Sequence, residues 1–115
     1  MQHRDKIILQ KILSEIDIAF EMLGNTELDE FLSDEKLKRA IGMTVINIGE
    51  LVKNISDEMR ANHREVPWKA VAGIRDITAH KYQTLRMEDV YNTVKMDFSD
   101  LKEKLKAILN GEGDE

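Results

Sequence analysis

Apolar residues in this chain recur every three or four positions over four long stretches, the interval that lines side chains up on one face of an α-helix. In the first, from about Asp5 to Leu23, Ile8, Ile12, Ile16, Ala19 and Leu23 make one stripe, with Leu9, Leu13 and Phe20 beside it. Gly24-Asn25 closes it, because both residues tolerate the left-handed backbone of a helix C-terminus. Thr26 is placed to cap a short piece, Glu27 to Leu32, which is either brief helix or a structured loop laying Leu28, Phe31 and Leu32 on the core. Ser33-Asp34-Glu35 is a second start signal, a capping hydroxyl followed by acids in the first turn. The long helix it opens carries Leu37, Ile41, Thr44, Ile48, Leu51, Ile55 and Met59, flanked by Ala40, Val45 and Val52, and is expected to reach about Ala61.

Gly42 and Gly49 lie seven apart inside that helix and, with Met43 and Ile46, make a second, partly apolar face. A helix apolar on two sides is either central in its bundle or shared with another subunit. Small residues permit close backbone approach, which favours sharing, and leaves Asn47 and Glu50 as exposed or interface polars. Arg60 to Val66 reads as a linker, with His63 a surface residue. Pro67 suits the first position of a helix, so the third long element starts at Pro67-Trp68. It turns Trp68, Val71, Ile74 and Thr78 inward and fades near His80. Trp68 reads first as a core or seam residue and second as a stacking platform for a base. The last helix opens around Met87-Glu88-Asp89, carries Val90, Tyr91, Val94, Phe98, Leu101, Leu105 and Ile108 in an unbroken stripe, and ends at Asn110-Gly111. Without a strand signal or an internal repeat, the pattern predicts an all-α fold, an antiparallel four-helix bundle with an additional short helix.

Composition fits that picture. At 115 residues the chain is expected to be one domain over 1–111, with a disordered tail over 112–115. Apolar residues make up 42% and charged residues 34%, the balance of a globular chain. There is no cysteine, no secretory signal pattern at Met1-Gln2-His3-Arg4-Asp5-Lys6, and no apolar run near the roughly 18 residues a membrane span needs. The expectation is a cytoplasmic protein with no membrane partner.

The formal charge of −5 argues against a polyanion partner, but its distribution does not. Between Arg60 and Arg86 six basic residues (Arg60, Arg64, Lys69, Arg75, Lys81, Arg86) stand against Glu65 and Asp76, which makes this segment +4 in a chain otherwise at −9. Within it, Arg75-Asp76-Ile77-Thr78-Ala79-His80-Lys81-Tyr82 concentrates the candidate chemistry. Arginine offers a permanently charged fork for phosphate oxygens, histidine gives and takes protons near neutral pH, and tyrosine adds a ring and a hydroxyl. Asp76 and His80 are four apart, close enough on a helix for the carboxylate to orient the imidazole. Arg75 and His80 are five apart and would splay by about 140° on one regular helix. They are either an ordinary helix-end surface pair or a site completed by a bend near Ala79 or by a second copy of the chain. No glycine-rich phosphate loop, two-histidine or paired-cysteine metal signature, or cysteine nucleophile occurs, so catalysis would rest on arginine, histidine, acids and hydroxyls, with no metal or cofactor expected.

The spacing arginine, four residues, histidine, one residue, tyrosine resembles the signature of the HEPN superfamily, specifically the HepT-like toxins of the HepT and MntA toxin-antitoxin type. Val66-Pro67-Trp68-Lys69 and Ala72-Gly73-Ile74-Arg75 are similar to that group's segment before the motif, Ile48-Gly49-Glu50-Leu51 to its long helix, and Arg4-Asp5-Lys6 to its opening. One departure is Asp76, where asparagine often follows the arginine. The resemblance implies an RNA-cleaving toxin acting as a homodimer, its two motifs meeting in a cleft at the subunit interface. It implies metal-independent attack of the RNA 2′-hydroxyl on its own phosphorus, with His80 as general acid or base and Arg75 stabilising the phosphorane. It further implies an MntA-like nucleotidyltransferase antitoxin that adenylylates Tyr82. The competing functions are a non-catalytic nucleotide- or partner-binding subunit of a nucleotidyltransferase and a plain helical dimerisation module.

Overall fold

The structure is a computed structural model and describes residues 1–73 and 86–111. Every regular element among these residues is helical: α1 (His3–Leu23), α2 (Leu28–Ser33), α3 (Glu35–Lys53), α4 (Asp57–Asn62), α5 (described over 68–73), α6 (Met87–Asn92), a π-helical turn (Thr93–Asp97) and α7 (Phe98–Gly111). The last three form one continuous rod.

Side-chain contacts set the directions. Arg4, at the start of α1, donates to the Asn54 carbonyl at the end of α3 (3.4 Å), so the two helices run antiparallel. Lys95 donates to the Gly24 carbonyl (2.9 Å) and Lys102 to Asp17 (2.7 Å), so the C-terminal rod also runs opposite to α1. Helix α1 is the centre of the packing. Its Leu9, Ile12, Ile16 and Ala19 have no exposure at all, and they meet Ile41, Val45 and Ile48 of α3 and Val94, Phe98 and Leu105 of the rod in one core. Truncating any of these large aliphatic side chains to alanine removes on the order of 2–5 kcal/mol.

The described elements are the antiparallel helical bundle that the apolar periodicity predicts, with four differences in detail. Thr26 does not cap α2: the Glu30 side chain reaches back to the Glu27 N–H (3.4 Å), while the Thr26 carbonyl accepts from the Tyr91 hydroxyl (2.7 Å). Nor does Ser33 open α3. It ends α2 with its hydroxyl on the Glu30 carbonyl (3.1 Å), and Asp34 caps α3 by accepting from the Leu37 N–H (3.0 Å). The third difference is larger. The helix expected to run to Ala61 stops at Lys53, and Ser56, in an extended conformation, caps a separate α4 by accepting from the Met59 N–H (3.1 Å). Arg60 to Asn62 are thus helix, not linker. Ile55 and Met59 stay buried on either side of the break, which is why the apolar rhythm does not reveal it.

The fourth concerns the glycines of α3. Gly42 and Gly49 are buried together with Val45 and Val52, a second buried row beside Ile41, Thr44 and Ile48. This row closes within the chain's own bundle, so it is not the outward face that sharing with another subunit would need. Met43 (57% exposed) and Glu50 do point outward. Asn110-Gly111 ends α7 as expected, and the tail 112–115 lies outside the described residues.

Candidate functional site

All four residues singled out by the sequence, Arg75, Asp76, His80 and Tyr82, fall within 74–85, outside the described residues. What the structure describes is the two shoulders that hold this segment, namely the approach through α4 and α5 and the exit at Arg86.

The approach is held at each joint. Asp5, on the first turn of α1 and 2% exposed, accepts from the Ser56 hydroxyl (2.6 Å) and the Ser56 N–H (3.0 Å). Ser56 in turn caps α4. The positive end of that short helix therefore faces a buried carboxylate, the sign its dipole favours. Across the break, the Arg60 guanidinium donates to the carbonyls of Val52 (3.0 Å), Lys53 (3.2 Å) and Ile55 (3.5 Å), adding to the Ile55 N–H that already reaches the Val52 carbonyl (3.1 Å) and tying the end of α3 to the start of α4. At the far end of α4 the His63 carbonyl accepts from the Val66 N–H (3.2 Å) and from the Trp68 indole N–H (2.9 Å). The Pro67 carbonyl takes the first hydrogen bond of α5, from the Val71 N–H (3.0 Å). Trp68 is buried and its one polar atom is used, so it is the core residue of the two readings, not a platform for a base. His63 stands 3.3 Å from Glu65 through Nδ1. The Glu65 carboxyl is held below the ordinary glutamate range chiefly by its own backbone N–H, which outweighs the opposing effect of desolvation, with His63 and Lys104 adding smaller contributions in the same direction.

On the exit side Arg86 precedes α6 and pairs with Glu88 (3.8 Å). Tyr91 stacks obliquely on Phe31 (5.4 Å between centroids) and Val90 is buried, so the rod's start is anchored on α2. Between the shoulders, a partly open pocket of about 190 Å³ is lined by Pro67, Ala70 and Val71 of the approach and by Thr93, Asp97 and Leu101 among the residues of the rod. The π turn forms its wall. Here the spacing of buried residues is Val90, Val94, Phe98, eight residues for two turns, where a regular helix takes about 7.2. The Phe98 N–H reaches the Thr93 carbonyl, five residues back, and that wider turn absorbs the excess.

Outside Trp68, an open groove of about 430 Å³ is lined by Arg60, Arg64, Val66, Pro67, Trp68, Lys69 and Ala70. Three cations and no described carboxylate line it, so its chemistry suits an anion.

Sequence reasoning missed Asp5 as a structural residue, although a signal was there. Asp5 is in phase with Ile8, Leu9, Ile12 and Ile16, and an acid on a core stripe must find donors. Among the described residues no helix is long and apolar enough to cross a membrane.

Comparison with known proteins adds the following. The family model described as Ribonuclease HepT-like matches residues 12–108, a span that contains Arg75, Asp76, His80 and Tyr82. The chain is 34% identical over 104 residues to a protein of Caldanaerobacter subterraneus subsp. tengcongensis named "Putative RNase TTE0752", covering 90% of this chain and 93% of that one. It is 31% identical over 108 residues to "Probable ribonuclease HepT" of Thermococcus cleftensis, covering 94% and 98%. A protein of Methanocaldococcus jannaschii named "Putative RNase MJ1216" is 31% identical over 110 residues, covering 95% and 91%. No solved structure matches the chain significantly.

Proposed function

From the premise that this chain belongs to the HepT-like ribonuclease family, we propose that it is the toxin of a toxin-antitoxin pair, an endoribonuclease that cleaves RNA without a metal at a site shared by two subunits. The observation that carries this reading is the family match over 12–108, which spans the Arg75, His80 and Tyr82 motif in a bundle whose described helices lead into and out of it.

In the proposed reaction the 2′-hydroxyl of RNA attacks the adjacent phosphorus as His80 handles a proton. The bond to the 5′-oxygen of the next nucleotide breaks, leaving a 2′,3′-cyclic phosphate and a 5′-hydroxyl. Arg75 carries the charge that develops on the phosphorane oxygens, and Asp76, four residues before His80, holds the imidazole's orientation. Because Arg75 and His80 diverge on a regular helix, their convergence is assigned to a homodimer in which each cleft draws on both motifs. Tyr82 beside this site is the proposed target of a nucleotidyltransferase antitoxin. A transferred adenylyl group would fill the cleft and compete for the Arg75 charge.

The test is incubation of the purified protein with RNA in excess chelator, followed by analysis of the product ends. Expected are cyclic phosphate termini, with His80→Ala and Arg75→Ala each lowering the rate by about 10²-fold or more. Inactive wild type that binds nucleotide tightly would replace the nuclease by the non-catalytic binding subunit. Mass analysis after mixing with the cognate transferase and ATP tests the silencing step: an adenylyl adduct on wild type and none on Tyr82→Phe is expected, and an unmodified wild type removes it.

A further inference from the structure

Most basic side chains in the described part of this acidic protein have an acid or a carbonyl to neutralise them. Lys38 and Arg39 sit on Glu35, Lys102 on Asp17, Lys104 on Asp100, Arg86 on Glu88, and Lys95 on the Gly24 carbonyl. Arg64 and Lys69, like Lys11, Lys36, Lys53 and Lys106, have none among the described residues, but they alone of these six line one groove together. Both are exposed, neither is within ion-pair distance of a described acid, and they share one groove with Arg60. The acid nearest them in sequence, Glu65, is not among the groove's lining residues. Its carboxylate is engaged by His63, and Lys104 also acts on it.

We propose that this groove is a phosphate track for single-stranded RNA, with Arg64 and Lys69 gripping backbone phosphates remote from the one that is cut. The inference rests on the ribonuclease reading for its ligand and adds to it the residues that hold RNA away from the reacting phosphate. Three features favour a nucleic-acid backbone over a compact anion. The groove is open and shallow, its floor of Val66, Pro67 and Ala70 offers no hydrogen-bonding side chain, and the fixed cation, Arg60, is anchored by main-chain carbonyls while the other two are free to follow a flexible chain. The surface also stays open along α5. Gly73 lies one turn beyond Lys69 on the same face, and a Cβ built on it would meet nothing within 4 Å. A strand leaving the groove therefore meets no side-chain obstacle at the last described residue before the motif segment.

The experiment uses the full chain and a 2′-O-methylated RNA 16-mer, which cannot be cleaved, so that binding is read independently of catalysis. Arg64→Gln with Lys69→Gln is compared with wild type and with Lys11→Gln/Lys106→Gln, which removes two equally exposed, unpaired cations elsewhere. Arg60 is left alone because it caps α3. The groove variant is expected to bind on the order of tenfold more weakly at low salt and to lose about 1.4 from the slope of log affinity against log salt, the share of two phosphate contacts. The control variant keeps the wild-type slope. With cleavable RNA the groove variant raises KM and leaves kcat within about twofold, while cleavage of a dinucleoside monophosphate, too short to reach the groove, is unchanged. Equal affinity and slope in wild type and groove variant, an equal loss in the control, or no binding by wild type overturns the proposal. A wild type that binds the 16-mer through this groove but cuts no RNA would overturn the nuclease reading alone.

Discussion

Asp5 shows how much can depend on one side chain remote in sequence from the motif. It is the only buried charged residue among those described, and both its donors belong to Ser56, the residue that restarts the chain after α3. Asp5→Ala leaves a half-buried hydroxyl and N–H without an acceptor and is expected to cost about 2–3 kcal/mol in urea denaturation. Ser56→Ala loses the cap as well, and the two changes together should cost less than their sum by about 1 kcal/mol, because each removes the same interaction. A strictly additive cycle would show that the contact carries no energy. A second residue-scale effect concerns acid. Glu35, beside Lys38 and Arg39, and Glu65, beside its own N–H and His63, are both held below the usual carboxyl range in the folded chain. A group whose folded pKa is depressed adds stability above its unfolded pKa and loses it as pH falls through the folded value. The thermal midpoint of Glu65→Gln should therefore lie slightly below wild type at pH 7 and converge with it as pH falls through the depressed folded value. Both sites are solvent-exposed, so the difference is small, and a gap that widens in acid would reverse the assignment.

At the scale of elements, what the sequence makes legible is what apolar phase and end signals encode. The stripes of α1, α3 and the C-terminal rod are buried as their spacing predicts. The break after Lys53 is invisible to phase because Ile55 and Met59 keep it, yet Ser56-Asp57-Glu58 has the same letters as Ser33-Asp34-Glu35, a serine and two acids, with the serine as the cap here where Asp34 is the cap there. Reading that signal where the stripe continues would have found α4. The π turn is legible only in arithmetic, as two successive intervals of four. That gives a sharp expectation. Met96 is 71% exposed inside the wide turn, and deleting it restores a four-three rhythm on a regular helix, so the variant should fold with helical circular dichroism intact and a loss of no more than about 2 kcal/mol. Deleting the exposed Glu103, two turns further on, rotates Leu105 and Ile108 about 100° out of the core and should cost more than about 4 kcal/mol. Equal losses for the two deletions would mean that the turn stores no spare residue.

For the whole molecule, the proposed function turns on whether a guanidinium and an imidazole five residues apart act on one phosphate. The motif was legible as letters, but its geometry was not: Arg75 and His80 lie in 74–85, outside the described residues, and periodicity within one chain carries no information about a surface shared with a second copy. The outward face of α3 is also narrower than the glycine spacing suggested. Gly42 and Gly49 are spent inside the bundle, which leaves Met43, at 57% exposure, and its outward neighbours on α3. If each cleft takes Arg75 from one subunit and His80 from the other, two dead variants should rescue one another. An Arg75→Ala chain supplies His80 and a His80→Ala chain supplies Arg75, so every mixed dimer contains one complete site and one empty one. Random reassortment of equal amounts makes half the dimers mixed, each with one of its two sites intact, and predicts about a quarter of wild-type RNA cleavage. Both residues drawn from the same chain predict none, since no subunit then carries the pair. Reassorted activity at the level of the separate variants would therefore place the whole reaction within one protomer and leave the dimer a purely structural role.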